Sequence, residues 1–343
     1  MRRSLWIVFV VLALVAGAVF AAWREGWVRA PWSARYDDLV AQLRDRGTIA
    51  VSGGLPVGMV LRDVGVTDVR RAPALARALD GDDPSAVTRA LRAQHLDGLV
   101  IRAGAAREGG RESVHARLAA LRPVRGLSTS YLDENASVVD PAEVWDLSVD
   151  DAQRLVTVAR LILSGATAPP ERLFPEPLRR TRPAEVALIL RDGATPILWR
   201  STRAGSVARG LVDVSFAVLD RWTTRQQEQY GRLRDALLTK TLTVAIFYDR
   251  GVLGARDATF LRRAVDTRVW SVGYERVTSW EYALPPTPGS APADPVTLLR
   301  NLTRERGVPP PGHLRPEITL YRFRALQMIE RTPNGDVSIY DPG

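Results

Sequence analysis

The chain contains no cysteine, which excludes disulfide frameworks, thiolate metal sites and cysteine nucleophiles. Lysine is almost missing too: of 47 basic residues, only Lys240 is a lysine. An arginine excess of this kind, beside frequent Ala, Gly and Pro, reflects GC-rich coding and weakens any functional reading of the net charge of +9. Histidine occurs only at His95, His115 and His313, and no spacing joins these into a metal site. No cofactor is expected. The densest basic spots, Arg179-Arg180 with Arg182 and Arg262-Arg263, lack the basic stripe, exposed aromatics or recognisable module of a nucleic-acid reader, so nucleic acid is not an expected partner. What is present is ordinary for folded protein, with 46% hydrophobic and 25% charged residues, and this excludes wholesale disorder.

A single long apolar run stands out. Leu5 to Trp23 carries no charge and is about 28 Å long as a helix, close to the ~30 Å hydrocarbon core of a bilayer. Arg2 and Arg3 precede it, and Trp6, Trp23, Trp27 and Trp32 flank it as an interfacial belt would. The expectation is a single-pass inner-membrane anchor with the rest of the chain outside the cytoplasm. A cleaved signal peptide is the rival, since Val19-Phe20-Ala21 suits a cleavage site.

At 343 residues the chain has room for two domains beyond that segment. Between 36 and 141, helical patterns alternate with short apolar strands at Thr48–Val51 and Leu99–Ile101, and Asp83-Pro84 opens one of the helices. A hairpin-like pair from Leu127 to Val139 closes this region. The alternation predicts a small α/β domain with a partly parallel sheet. Gly53, Gly54 and Gly58 follow the first strand, but their spacing fits no phosphate-binding fingerprint and Pro56 removes a donor, so they read as a tight turn.

From 147 to 331 the pattern changes. Ser148 caps an amphipathic helix ending at Gly165. A Pro-rich stretch then leads to a hairpin of Val186–Leu190 and Ile197–Trp199 around Asp192-Gly193. A helix with an apolar stripe from Val207 to Trp222 follows, then strands at Leu242–Tyr248 and within Arg268–Leu284, a helix opened by Asp294-Pro295, and a last strand at Ile318–Phe323. Asn334-Gly335 turns back the tail, 332–343. Hairpins in place of βαβ units predict an α+β domain with a mainly antiparallel sheet. The expected whole is thus α/β plus α+β, with a membrane helix and juxtamembrane segment at 1–35.

The order and spacing of these pieces resemble the AMME chromosomal region protein family. The resemblance rests on Leu147-Ser148 opening a helix with Ala159-Arg160, Pro-Glu-Pro-Leu at 175 to 178, Val186–Leu190 before Asp192-Gly193, Tyr282-Ala283-Leu284-Pro285, and Ile318–Phe323. It covers a little over half of the chain. That family carries L-R-G-C-I-G after its first hairpin strand, in a cleft between subdomains. Here the equivalent residues are Leu198-Trp199-Arg200-Ser201-Thr202, with neither thiol nor glycines. Trp199, Arg200, Ser201 and Thr202 are the candidate ligand-binding residues. Ser201 would act as a nucleophile only with a base in reach, and the remaining histidine of this region, His313, is not placed beside it by any pattern.

The expected function is a membrane-anchored cell-envelope protein of binding or scaffold type, not catalytic, touching the membrane through Leu5–Trp23 and an envelope protein partner. Two alternatives stand. One is an enzyme using the Trp199–Thr202 cleft. The other is an accessory factor to a membrane enzyme of envelope polysaccharide or lipid assembly, suggested by a likeness of the first region to soluble modules of membrane glycosyltransferases.

Overall fold

The computed structural model describes residues 37–53, 64–102, 113–134, 136–142, 145–167, 174–180, 184–276, 279–308, 312–314 and 317–342. Chain order gives β1 (Thr48–Ser52), β2 (Gly65–Asp68), β3 (Gly98–Arg102), β4 (Leu127–Leu132), β5 (Ala136–Pro141), β6 (Ala184–Asp192), β7 (Thr195–Ala204), β8 (Thr241–Leu253), β9 (Ser271–Arg276), β10 (Ser279–Tyr282), β11 (Thr319–Glu330) and β12 (Val337–Tyr340). The helices are α1 (Asp37–Leu43), α2 (Pro73–Asp80), α3 (Pro84–Ala93), α4 (Val114–Ala119), α5 (Val149–Leu163), α6 (Glu176–Arg179), α7 (Val207–Leu219), α8 (Thr224–Tyr230), α9 (Leu233–Thr239), α10 (Ala258–Ala264) and α11 (Pro295–Glu305).

All twelve strands belong to one mixed sheet, with a main path β10-β9-β11-β8-β4-β5-β3-β1-β2. This corrects the expectation of an α/β unit beside a separate, mainly antiparallel α+β unit: the sheet runs through both regions without a break. Its far end is parallel, β1 lying between β2 and β3, and its near end is antiparallel around β8 and β11. The element that joins them is β8. Its first half pairs with β6 from Thr241 to Phe247. Its last two residues, Val252 and Leu253, pair in parallel with Tyr131 and Leu132 of β4. That second half was hidden in the sequence because Asp249, Gly251 and Gly254 are turn residues by type.

A β-bulge makes the redirection possible. Arg322 and Arg324 of β11 oppose Gly251 and Tyr248, so β8 carries one extra residue there. Asp249 takes the positive φ of 52° that the bulge demands, a conformation Asp tolerates better than most residues. Gly251 follows, and only a glycine fits: a Cβ at this position would come within 2.1 Å of the Thr129 carbonyl oxygen.

Helices cover both faces. The α5 helix begins at the predicted Ser148 cap, completed as a capping box with Asp151. It packs with α7 over Val186, Leu188, Leu190, Val244 and Ile246. Asp83 and Pro84 open α3 as the pattern implied, and α2 and α3 bury their apolar stripes against Ala50, Leu99 and Ile101. Leu132 of the first region sits in the core formed by α10, α11 and β9, so apolar packing crosses the seam as the sheet does.

A single-pass membrane protein is also corrected. Among the described residues no helix is long and apolar enough to cross a membrane, and the run Leu5–Trp23 lies outside them.

Candidate functional site

β6 and β4 meet the same edge of β8 one after the other, and between them they leave a notch at Tyr248–Arg250. A cavity of about 320 Å³ occupies it, at the lower end of the size range for small-molecule sites. Ser128 and Asp140 of the first region line it, with Trp145 from the segment that follows. Glu185 of β6, Arg203 of β7 and Trp280 of β10 line it as well.

The strand register decides which of the four candidate residues share the sheet face of Glu185. Ala187 pairs with Ser201, and Glu185 with Arg203. Side chains alternate along a strand, so Trp199, Ser201 and Arg203 share the face that carries Glu185 and Phe247. Arg200 and Thr202 fall on the opposite face with Leu198, which packs into the α5–α7 core. Of the four candidates from sequence, Trp199 and Ser201 share the face of Glu185, and none of the four is among the residues that line the cavity. The Arg200 guanidinium donates to the Trp199 carbonyl at 2.9 Å.

Ser201 donates its hydroxyl to Glu185 Oε1 at 2.9 Å. Burial pushes the Glu185 carboxyl above its ordinary value, opposed first by the Ser201 hydrogen bond and then by the Arg250 charge. Trp199 fills the space next to Ser201, its ring 4.9 Å from that of Tyr282. Tyr282 in turn packs edge-on against Phe247 at 4.8 Å. Burial drives its phenol well above the ordinary range, and the nearby Ser201 hydroxyl opposes that shift. The other histidine candidate is elsewhere: His313 lines a different cavity, with Arg256 and Arg300.

Most charges around the notch are matched within the protein. Asp249 receives Nη2 and Nε of Arg324 at 2.7 and 2.9 Å and the Thr129 N–H at 2.9 Å. Asp140 pairs with Arg46 through both oxygens. Arg250 is stacked between Trp280 and Tyr321, 4.0 and 3.9 Å from the ring centroids, and its head pairs with Glu275 at 2.9 Å. Three features remain unmatched. Arg250 Nε–H and the Trp280 indole N–H are buried without a well-formed hydrogen bond. Arg203 is exposed, without an ion-pair partner among the described residues, and acts on Glu185 through its charge. Buried donors are nearly always satisfied in folded proteins, so this end of the notch offers hydrogen bonds to acceptor oxygens.

Sequence reasoning missed Glu185, Arg203, Arg250 and Trp280. Two signals were there: a lone acid before the apolar run Val186–Leu190, and a hairpin turn at Asp192-Gly193 that fixes Glu185 opposite Arg203. The trio Gly53, Gly54 and Gly58 contributes a turn at Gly53, with φ at 87°; Gly54 and Gly58 lie outside the described residues. His115 is buried and its Nε2 shares a 2.9 Å hydrogen bond with Ser52 Oγ, whereas His95 is exposed. Among the described residues no group of His and acidic side chains is arranged to hold a metal ion.

No protein-family model matches the chain, and no curated protein matches it. Among solved structures, the uncharacterized protein PH0010 from Pyrococcus horikoshii is similar at 14% identity and a TM-score of 0.46, over 57% of this chain and 98% of that one.

Proposed function

We propose that this chain is a non-catalytic binding protein, built on a degenerate AMME-region-like half, and that its ligand is a small molecule rich in acceptor oxygens held in the notch of β8. The observation that carries this is a pair of buried donors on residues that line the cavity, the unmatched Arg250 Nε–H and the Trp280 Nε1–H, which is turned to the Glu185 carboxyl without a well-formed bond. Arg203 at the rim adds an uncommitted positive charge, and Glu185 in the same lining supplies a carboxyl that a polyhydroxylated acid or sugar would use. The aromatic cage around Arg250 holds that guanidinium rigid, which lowers the entropy cost of binding.

The contact between Ser201 and Glu185 favours a second reading, an enzyme with Ser201 as nucleophile and Glu185 as base. Two features weigh against it. No histidine stands between hydroxyl and carboxylate, and Trp199 occupies the space beside the hydroxyl where an acyl group would enter.

A thermal-shift and calorimetric screen of sugars, sugar acids and hydroxycarboxylates tests the proposal on wild type and Trp280→Phe, which keeps a ring and removes the N–H donor. A ligand that stabilises wild type and binds Trp280→Phe at least about tenfold more weakly supports it. Turnover of activated esters that disappears in Ser201→Ala would replace it with the enzyme reading.

A further inference from the structure

A second cavity, of about 440 Å³, lies away from the notch, between α10, α11 and the 3-10 turn Gly312–Leu314. Its walls are apolar. Ala258, Val296, Val308 and the exposed Leu314 face it, and the Thr303 hydroxyl is turned away into a 2.9 Å bond with the Leu299 carbonyl. Its charge is one-sided. On α11, Arg300 and Arg304 stand four apart on the side that also carries Val296 and Thr303. Arg256 is fixed at the wall by a 2.5 Å bond from Nη2 to the Ile318 carbonyl. The one acid in the lining, Asp257, is committed: it caps α10 by accepting the Phe260 N–H at 2.8 Å and shares a hydrogen bond with Glu134. It cannot also neutralise Arg300 and Arg304.

His313 in the lining is only 7% exposed, and its Nδ1 has no hydrogen-bond partner among the described residues. An unmatched ring nitrogen in such a place keeps its desolvation cost uncompensated unless something binds it. Burial, with the nearby charges of Arg300 and Arg256, pushes the ring below its ordinary range. It is therefore neutral near pH ~7 and adds no fourth positive charge.

We propose that this cavity binds an anionic amphiphile, a molecule with an apolar body seated on Val296, Val308 and Leu314 and a carboxylate or phosphate head held by Arg300 and Arg304. The apolar walls supply area to bury and the arginines supply bidentate partners for either head group. Neither part of the proposal involves the notch of β8 or its ligand.

The test uses the full chain and displacement of anilinonaphthalene sulfonate, with decanoate, decyl phosphate and decanol as competitors. Both charged competitors, or one of them, should displace the dye at least about tenfold more effectively than decanol, and the preferred head distinguishes a fatty acid from a lipid phosphate source. The double variant Arg300→Gln/Arg304→Gln should lose that preference while keeping its circular dichroism spectrum. Leu314→Asp, an exposed change at the mouth, should weaken both charged competitors. Decanol competing as well as both charged competitors, an unchanged preference in the double variant, or failure of all three competitors would overturn the proposal.

Discussion

The Asp249 carboxylate accepts the backbone N–H of Thr129 at 2.9 Å, joining two residues 120 positions apart in a buried hydrogen bond. The same carboxylate holds Arg324, and both side chains are 2% exposed. Asp249 thus ties β4 to β8 and β11 at the point where the first region enters the common sheet.

Removing that carboxylate should be costly. Asp249→Ala leaves Arg324 buried without its counter-charge, close to Arg322, which is fully buried on the Trp270 ring and whose pKa desolvation already pushes down to about 10. A broken buried ion pair costs about 3–5 kcal/mol. Urea unfolding should show a loss of that order. A loss below about 1 kcal/mol would mean that the carboxylate does not hold the seam.

Gly251→Ala should damage the same seam by geometry alone. Its Cβ would meet the Thr129 carbonyl oxygen at 2.1 Å, and backbone must move to admit it. Overpacking of this kind costs about 1–3 kcal/mol or more. Gly193 provides the control: its φ is 58° and nothing lies within 4 Å of an added Cβ, so Gly193→Ala should cost only the ~1–2 kcal/mol of a left-handed residue. The two melting curves, compared with wild type, check the ranking. Equal losses would refute the account of β8 and β4.

How far the sequence disclosed this arrangement depends on the range of the interactions. Local chemistry was legible: Ser148, Asp83-Pro84 and Asp294-Pro295 cap helices where they stand, and Asp192-Gly193 turns a hairpin. Those signals act within a few residues, and the physics behind them needs no partner. The union of the sheet was not legible, because it rests on a bulge at Asp249 and a close approach at Gly251, residues whose types suggest a loop. The site suffered in the same way. Ser201 was singled out by a family pattern, but Glu185 becomes its partner only through the β6–β7 register, and Arg250 reaches the cavity only because β8 continues past Tyr248. The α8 helix is polar, and both it and α9 have only seven residues, too few for an apolar stripe to mark them.

The Glu185 carboxyl should leave a signature in the pH dependence of stability. Burial raises it above its ordinary value, so the native state keeps this proton at pH values where the unfolded chain has released it. The stability it contributes is complete below the ordinary carboxyl pKa of about 4.3 and is lost as pH rises through the raised value. Glu185→Gln removes that dependence. Between about pH 4 and about pH 7 the variant should therefore gain stability relative to wild type as pH rises. Urea midpoints measured across this range test the sign, and a variant whose relative stability falls with pH would show that the carboxylate is stabilised in the fold.

Trp199 offers the most direct test of whether the surface beside Ser201 is filled. Its ring lies 4.9 Å from that of Tyr282, beside the Ser201 hydroxyl. Trp199→Ala should remove the contact, open space next to Ser201 and cost about 2–4 kcal/mol, below the full price of a wholly buried tryptophan because the side chain is only partly covered. Opening the space does not create a catalyst. Ser201 keeps its donated hydrogen bond to Glu185, and a carboxylate whose pKa lies far below that of an alcohol draws little alkoxide from it. The variant should show no more hydrolysis of activated esters than wild type, although it should bind small aromatic compounds in the new cavity, as titration calorimetry with indole would reveal. Ester hydrolysis appearing in Trp199→Ala and vanishing in Trp199→Ala/Ser201→Ala would instead identify Trp199 as a plug over a competent nucleophile.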